Sequence, residues 1–189
     1  MQALFTSATV VALAEMGDKT QLLSLTLAAR YRRPVPILLG VLVATIANHG
    51  ITAWLGDWLS QWLTPTILNW AIVFSFLGMG IWILIPDKES DMNLAMRKHW
   101  GVFMVTLITF FVAEIGDKTE VATIALAAHF QVWLPVVAGT TIGMMLANGP
   151  AVFFGHRFAD RLPTRWVHAI AAVLFLVLGA VALHKALAS

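Results

Sequence analysis

The chain has 189 residues, of which 59% are hydrophobic and only 12% are charged, and its mean hydropathy is +0.82. A soluble domain carries about 25% charged residues, so this composition indicates a protein whose solvent is lipid. The net charge of +2 is small and its basic residues lie mainly in short loops, which excludes a nucleic-acid-binding surface. The absence of cysteine excludes disulfides and thiolate metal sites.

Six apolar stretches are long enough to be transmembrane helices, because about 20 apolar residues cross the hydrocarbon core. They cover approximately residues 3–29, 35–56, 65–86, 101–128, 132–155 and 166–184, with a polar loop at 87–99. Their length and their lack of alternating polarity favour helices over barrel strands. The predicted fold class is therefore all-α, a polytopic membrane protein of six transmembrane helices.

The basic residues indicate how the chain is oriented in the membrane. Ten lysines and arginines remain when Lys19 and Lys118, which lie inside predicted spans, are set aside. Nine of the ten follow the first, third and fifth spans, namely Arg30, Arg32, Arg33, Lys88, Arg97, Lys98, Arg157, Arg161 and Arg165. Lys185 lies on the other side. The positive-inside rule then predicts that those three loops are cytoplasmic and that both termini lie outside.

A charged hexapeptide occurs twice inside the apolar spans, as EMGDKT at residues 15–20 and EIGDKT at residues 114–119. An ionised side chain at the bilayer centre costs about 2.5–3.5 kcal/mol, so such residues usually serve a function. A shift of 99 residues aligns EMGDKTQLLSLTLAA with EIGDKTEVATIALAA, with eight identities in fifteen positions. The same shift aligns Gly40 with Gly139, and a slip of one residue aligns Asn48 with Asn148.

The duplication predicts two three-helix repeats within one transmembrane domain. The repeats cover residues 1–90 and 100–189, and a cytoplasmic loop at 91–99 connects them. Because three is an odd number of spans, the repeats must cross the membrane in opposite directions. Inverted repeats of this kind recur in secondary transporters, which place the substrate near the midplane where the repeats meet and alternate access by rocking one repeat against the other.

The four motif carboxylates are candidate metal ligands. Glu15 and Asp18 are spaced i, i+3, as are Glu114 and Asp117, which predicts that each pair shares a helix face. Two pairs that converge from inverted repeats would form an oxygen-rich cage suited to Ca²⁺ or Mn²⁺. The four acids, Glu120 and the two motif lysines carry a net charge of −3. We expect a divalent cation and protons to neutralise this charge in turn.

The other motif residues have two interpretations each. Gly17 and Gly116 either permit close helix packing or break the helix locally. Lys19 and Lys118 lie four residues after the motif glutamates, so each is expected to pair with its own glutamate or to hold the empty site together. The hydroxyls of Thr20 and Thr119 are candidate ligands, with hydrogen bonding to their own helix as the more common alternative.

Polar residues next to the motifs extend the candidate site. Gln21 and Glu120 lie three residues after the motif aspartates, and Glu120 is predicted to carry protons, with a side chain that reaches towards water as the alternative. Asn48 and Asn148 either line the site or join helices by hydrogen bonds. The sequence Asn-Gly-Pro after residue 147 also predicts an interruption of the fifth span. His49 could shuttle protons, but hydrogen bonding within the protein is the default expectation.

The duplicated E-x-G-D-K-T motif in a small six-span chain resembles the GDT family of cation/proton exchangers. That family includes bacterial manganese exporters and Golgi Mn²⁺/Ca²⁺ transporters. The resemblance covers essentially the whole chain, and it implies that Glu15, Asp18, Glu114 and Asp117 bind the ion. It also implies export of Mn²⁺, with Ca²⁺ as an alternative cargo, driven by proton entry. The short central loop and the absence of extra N-terminal sequence favour a bacterial inner membrane.

Three other functions are alternatives to exchange. An exporter of small organic cations or amino acids would also use an acidic pocket, and carboxylate rings conduct cations in channels. Paired, glycine-containing inverted repeats favour alternating access over a channel. An intramembrane enzyme is disfavoured, because only His49 lies deep in a span as a candidate metal-binding histidine. No prosthetic group is expected, the partners are the bilayer and the transported ions, and the oligomeric state is left open, a homodimer included.

Overall fold

The structure is a computed structural model that describes residues 1–85, 101–154 and 164–188. These residues are helical and contain no β-strand. Eight helices occur in them: α1 Gln2–Glu15, α2 Lys19–Tyr31, α3 Pro34–Trp62, α4 Pro65–Trp82, α5 Val102–Glu114, α6 Lys118–Phe130, α7 Trp133–Phe154 and α8 Thr164–Ala188. The prediction of an all-α fold is confirmed. The predicted connecting loop and the basic residues Lys88, Arg97, Lys98, Arg157 and Arg161 lie outside the described residues.

Four of the helices, α3, α4, α7 and α8, are long and apolar enough to cross a membrane. Helices α1 and α5 are apolar but shorter. Outward-facing residues of α3 such as Leu39, Val43 and Ile46 are exposed. A surface of this kind indicates that the helices contact lipid.

The first and fourth predicted spans, residues 3–29 and 101–128, are not continuous helices. Helix α1 ends at Glu15 and α2 begins at Lys19, and α5 and α6 are separated in the same way. The backbone turns at Gly17, with φ of +87°, and at Gly116, with φ of +74°. Glycine adopts this left-handed region without the steric cost that a Cβ atom brings. Of the two interpretations of these glycines, the local break is therefore the one that the structure contains.

The interruption predicted in the fifth span is wrong, because α7 continues through Asn148 and Pro150. Contacts from α2 stabilise this part of α7. Ser24 Oγ donates to Asn148 Oδ1 at 2.7 Å, and Gln21 Nε2 donates to the carbonyl of Ala147 at 2.9 Å. The carbonyl that Pro150 leaves without a helical N–H partner is that of Leu146, four residues earlier, and the bond from Gln21 reaches the next carbonyl, that of Ala147.

Helices of one sequence half pack mainly against helices of the other half. Helices α1 and α2 contact α7, α3 contacts α5 and α6, and α4 contacts α8. A Cβ atom at Gly40 of α3 would lie 2.7 Å from Thr106 Cβ, so only glycine lets α5 approach this closely. Gly139 of α7 fits as tightly against Leu4 and Ser7 of α1. Ser7 and Thr106 are themselves 99 residues apart, so this contact occurs once for each copy of the repeat.

Candidate metal site

Three buried carboxylates from both motifs meet at the helix breaks. Each of Glu15, Glu114 and Asp117 offers one carboxylate oxygen, and these three oxygens lie within 4.8 Å of one another. Glu15 and Glu114 are fully buried, and Asp117 is 3% exposed. Oxygens that coordinate one cation at about 2.3–2.6 Å are separated by distances up to about 5 Å. The three side chains therefore have the spacing of a shared cation site.

The helix breaks set the positions of these acids. Glu15 is the last residue of α1 and Asp18 is the N-cap of α2, and the backbone N–H of Asp18 donates to the Glu15 carbonyl at 3.1 Å. The equivalent bond from Asp117 to Glu114 is 2.9 Å long. The prediction that each pair shares one helix face is wrong, because the helix ends between the two residues. The acids instead lie where the positive N-terminal ends of α2 and α6 favour negative charge.

Asp18 is buried, with 4% exposure, but it does not belong to the group of three acids found among the described residues. The repeat therefore departs from symmetry at this position, since its counterpart Asp117 does belong to the group. The role of Asp18 as a metal ligand stays a prediction.

The motif threonines hydrogen-bond to the motif glutamates. Thr20 Oγ1 donates to Glu15 Oε2, and Thr119 Oγ1 donates to Glu114 Oε2 at 3.2 Å. Neither bond is the helix back-bonding that is common for threonine. In contrast, Oε1 of Glu15 and Oε1 of Glu114 have no hydrogen-bond partner within the described part of the chain. Each glutamate is thus oriented through one oxygen and offers the other to a ligand.

Gln21 and Glu120 stabilise the helix breaks. The N–H of Gly17 donates to Gln21 Oε1 at 2.9 Å, and the N–H of Gly116 donates to Glu120 Oε2 at 2.8 Å. Both an amide oxygen and a carboxylate oxygen can accept this bond, so the two repeats differ here without a change of backbone. The predicted role of Glu120 as a proton carrier stays a prediction.

The two motif lysines make different contacts. Lys19 Nζ lies 2.8 Å from Asp117 Oδ1, in the opposite motif, and its side chain is 22% exposed. Lys118 is buried, and its Nζ donates to the carbonyl of Ile85, just after α4, at 2.8 Å. The ion pair of Lys19 thus joins the two motifs, a partner that the i, i+4 spacing did not predict.

The paired asparagines take part in hydrogen bonds between helices. Asn48 Nδ2 donates to the carbonyl of Phe111 in α5 at 3.0 Å, and Asn148 accepts the bond from Ser24 of α2. Phe111 lies one turn before the end of α5, so Asn48 fixes the register of α3 against the helix that carries Glu114. A further role in lining the ion site stays a prediction for both asparagines.

Two histidines differ from what the sequence indicates. His168 of α8, which the motif analysis does not identify, has its Nε2 2.8 Å from the carbonyl of Met16 at the first break.

His49 is fully buried, and neither ring nitrogen has a hydrogen-bond partner among the described residues. The default expectation for His49 is therefore wrong. Its Nε2 lies 3.8 Å from Glu114 Oε2. The sequence signal for His49 is the loss of symmetry in its repeat, where the aligned residue is Gly149.

Comparison with known proteins is consistent with this geometry. The chain is 49% identical over 180 residues to a Vibrio cholerae protein named "Putative manganese exporter", covering 94% of this chain and 88% of that protein. It is 30% identical over 187 residues to a GDT1-like protein of Synechocystis, covering 88% and 89%. It is 27% identical over 199 residues to GDT1-like protein 3 of Oryza sativa, covering 92% and 71%.

No solved structure matches the chain significantly. The family model described as divalent cation/proton antiporter GDT1 matches residues 3–91 and 93–189. The chain therefore belongs to the GDT1 family of divalent cation/proton antiporters.

Proposed function

We propose that this protein exports Mn²⁺ from the cytoplasm in exchange for protons, with Ca²⁺ as a second candidate cargo. The observation that carries the proposal is the buried group formed by Glu15, Glu114 and Asp117, whose oxygens lie within 4.8 Å of one another. Buried charges require a partner, and carboxylate oxygens are preferred ligands of Mn²⁺ and Ca²⁺. The name of the Vibrio cholerae relative supports manganese as the cargo.

Exchange follows from the charge of the site. When a divalent cation occupies the carboxylate group, proton binding to the same oxygens is disfavoured by competition. When the cation leaves, Glu15 and Glu114 would be two carboxylates buried close together, and protons would be needed to neutralise them. The Oε1 atoms of both glutamates, which have no hydrogen-bond partner among the described residues, are available to either ligand. Asp18 and Glu120 are further proposed participants at the edge of the site.

We propose six membrane crossings arranged as two inverted three-helix repeats, with domain limits at residues 1–90, 91–99 and 100–189. In this arrangement α1 with α2, and α5 with α6, form two discontinuous crossings. Two such helices of 14 and 13 residues span about 40 Å at 1.5 Å per residue, enough for the hydrocarbon core. The repeated contacts of Gly40 and Gly139 support this symmetry. Broken helices that meet at the midplane are typical of transporter ion sites.

The equivalent ends of α2 and α6 differ in how closely other helices pack against them. At the end of α2 is a groove of about 360 Å³ lined by residues that include Ala28, Ala29, Arg32 and Val152. At the equivalent end of α6, α4 packs closely and leaves a cavity of only about 20 Å³ beside Ala128 and Gln131. We propose that the α2 end faces the cytoplasm and is the open side. We also propose that the other side opens when α4 and α8 move together.

We further propose that the protein resides in a bacterial inner membrane with both termini on the periplasmic side. It is proposed to act as a transporter and to catalyse no chemical reaction, which agrees with the activity of its family. No prosthetic group is needed, because the metal is cargo. The exchange mechanism needs one copy of the chain, and a homodimer is compatible with it.

The test is ion flux into proteoliposomes that contain the purified protein, with an imposed pH gradient and Mn²⁺ or Ca²⁺ outside. We expect uphill Mn²⁺ accumulation that depends on the gradient and is abolished in Glu15→Gln and in Glu114→Gln. Asp57→Asn, a carboxylate of α3 outside the motifs, is the matched control and should retain transport. Size-exclusion profiles show whether each variant is folded.

Two outcomes would contradict the proposal. Downhill metal flux that ignores the pH gradient would identify a channel. An absence of metal flux in folded wild-type protein would overturn the metal proposal, and the same vesicles would then be tested with small organic cations and amino acids.

A further inference from the structure

We infer that His49 is a nitrogen ligand of the transported ion and that it selects Mn²⁺ over Ca²⁺. This inference rests on the proposed function and adds a residue and a selectivity to it. The starting observation is the position of His49 on α3, where Nε2 lies 3.8 Å from Glu114 Oε2. Glu114 is one of the three acids of the carboxylate group, and His49 lies beside that group without belonging to it.

The separation of 3.8 Å is too long for a hydrogen bond. This separation does match the distance between two ligand atoms that coordinate the same cation. Donors about 2.0–2.4 Å from a metal and at angles near 90–120° lie about 3–4 Å apart. His49 and Glu114 therefore have the spacing of neighbouring ligands and lack the spacing of a hydrogen-bonded pair.

The second observation is that the His49 ring makes no hydrogen bond in the described part of the protein. The residue is fully buried, and neither Nδ1 nor Nε2 forms a hydrogen bond with the residues described. A buried polar group without a partner costs free energy, so its retention calls for an explanation. A cation bound between His49 and Glu114 would provide the missing partner of Nε2. The same cation would also use the free Oε1 of Glu114.

The position of His49 is fixed by a hydrogen bond of its neighbour, Asn48. Asn48 Nδ2 donates to the carbonyl of Phe111, one turn before Glu114, which fixes α3 against the end of α5. The close contact of Gly40 with Thr106 brings the same two helices together further along. The imidazole is therefore positioned by the packing of α3 on α5 before any ion binds.

The repeat provides this nitrogen only once. With the alignment of Asn48 on Asn148, the residue that corresponds to His49 is Gly149, and a Cβ atom there would meet nothing within 4 Å. The proposed ligand set is therefore asymmetric, with one imidazole among carboxylates. Ca²⁺ prefers oxygen ligands alone, whereas imidazole is an accepted ligand of first-row transition metals. The nitrogen should therefore raise the affinity for Mn²⁺ relative to Ca²⁺. Because affinity for such sites increases from Mn²⁺ to Co²⁺ along the first transition row, Co²⁺ should bind more tightly still.

The experiment is pulsed electron paramagnetic resonance of Mn²⁺ bound to the purified, full-length protein. Wild-type protein is prepared at natural abundance and with ¹⁵N-labelled histidine. We expect nitrogen modulation of the Mn²⁺ echo that changes from the ¹⁴N to the ¹⁵N pattern on labelling. This measurement needs no variant, so a folding defect cannot obscure it. Mn²⁺ that binds without histidine nitrogen modulation would overturn the inference while leaving the proposed function intact.

His49→Asn then identifies the residue, because the amide oxygen replaces nitrogen at similar size. We expect loss of the nitrogen modulation and at least about a tenfold loss of Mn²⁺ affinity, with Ca²⁺ affinity changed less than about threefold. His184→Asn, at an exposed position near the end of α8, should behave as wild type. Modulation that persists in His49→Asn would overturn the assignment. Wild-type protein that binds no Mn²⁺ at all would overturn the proposed function together with this inference.

Discussion

Lys19 Nζ and Asp117 Oδ1, which belong to opposite motifs, form an ion pair 2.8 Å long. The ammonium group thus lies against one of the three acids that form the candidate metal site. A cation that binds Asp117 must compete with this lysine. Lys19 therefore acts as an internal counter-ion of the site, whereas Lys118 donates to the carbonyl of Ile85 and does not have the equivalent position.

The first prediction concerns this competition. Lys19→Gln should bind Mn²⁺ up to about fivefold more tightly than wild type, because a partly exposed ion pair contributes up to about 1 kcal/mol. Isothermal titration calorimetry measures the change. Lys118→Gln is the matched variant and should show no such gain. Unchanged or weaker Mn²⁺ binding by folded Lys19→Gln would contradict the role of an internal counter-ion.

The second prediction concerns the hydroxyl groups that orient the glutamates. Thr20→Val and Thr119→Val keep the shape of the side chain but remove the donor to Glu15 or Glu114. Each should weaken Mn²⁺ binding by about tenfold, the size of effect found when a group that orients a metal ligand is lost. Thr20→Ser and Thr119→Ser should restore binding. If valine and serine behave alike in the titration, the hydroxyl groups do not orient the ligands.

The third prediction concerns the positive φ at the second break. Gly116→Ala should lower the free energy of unfolding by about 1–2 kcal/mol, because a Cβ atom is disfavoured at φ of +74°. Steric contact does not contribute, since nothing lies within 4 Å of that Cβ position. Gly78→Ala has equally open space but lies within α4. It should stabilise the protein by up to about 1 kcal/mol.

Unfolding of both glycine variants in detergent, followed by circular dichroism, tests this prediction. Gly116→Asn should be less destabilised than Gly116→Ala, because asparagine tolerates left-handed backbone better than alanine does. Equal stability of the Gly116→Ala and Gly78→Ala variants would show that the break does not depend on the glycine backbone.

The fourth prediction concerns the two ends of the discontinuous helices. Ala29 of α2 is exposed and Ala128 of α6 is 7% exposed, although the two positions are 99 residues apart and equivalent in the repeat. The chain contains no cysteine, so single-cysteine variants can be labelled without background. In detergent solution, where both faces are accessible, Ala29→Cys should react with a water-soluble maleimide at least about tenfold faster than Ala128→Cys. Comparable rates at both positions would argue against an open α2 end.

The helical class was predictable from the sequence, because apolar content and span length are local information. The glycine between Glu15 and Asp18 indicated a break or a close contact. The internal repeat predicted the same local structure at the second motif. The predicted shared helix face failed for the same local reason, since a positive φ at Gly17 ends the helix between the two acids. The four-residue spacing of Lys19 from Glu15 likewise does not predict a contact, because the helix is interrupted between the two residues.

The contacts that the sequence did not predict are long-range. Lys19 reaches a residue 98 positions away, and His168 reaches Met16 across 152 positions. Neither contact has a periodicity or motif that could identify it. The sequence predicts that His49 lies deep in a span and is hydrogen-bonded, but its lack of hydrogen bonds depends on the arrangement of α3 and α5. The bonds from α2 to Ala147 and Asn148 of α7 are likewise long-range.

The close contact of Gly40 with α5 has a consequence for biosynthesis. Helix α3 is made before α5 and α6, yet these later helices are the ones that it packs against. The backbone groove at Gly40 and the buried face of Asn48 therefore have no partner until the ribosome has added more than 60 further residues. The first repeat must remain incomplete in the translocon or in lipid during that time. Membrane insertion of the first repeat therefore precedes its final packing, which requires contacts from the second repeat.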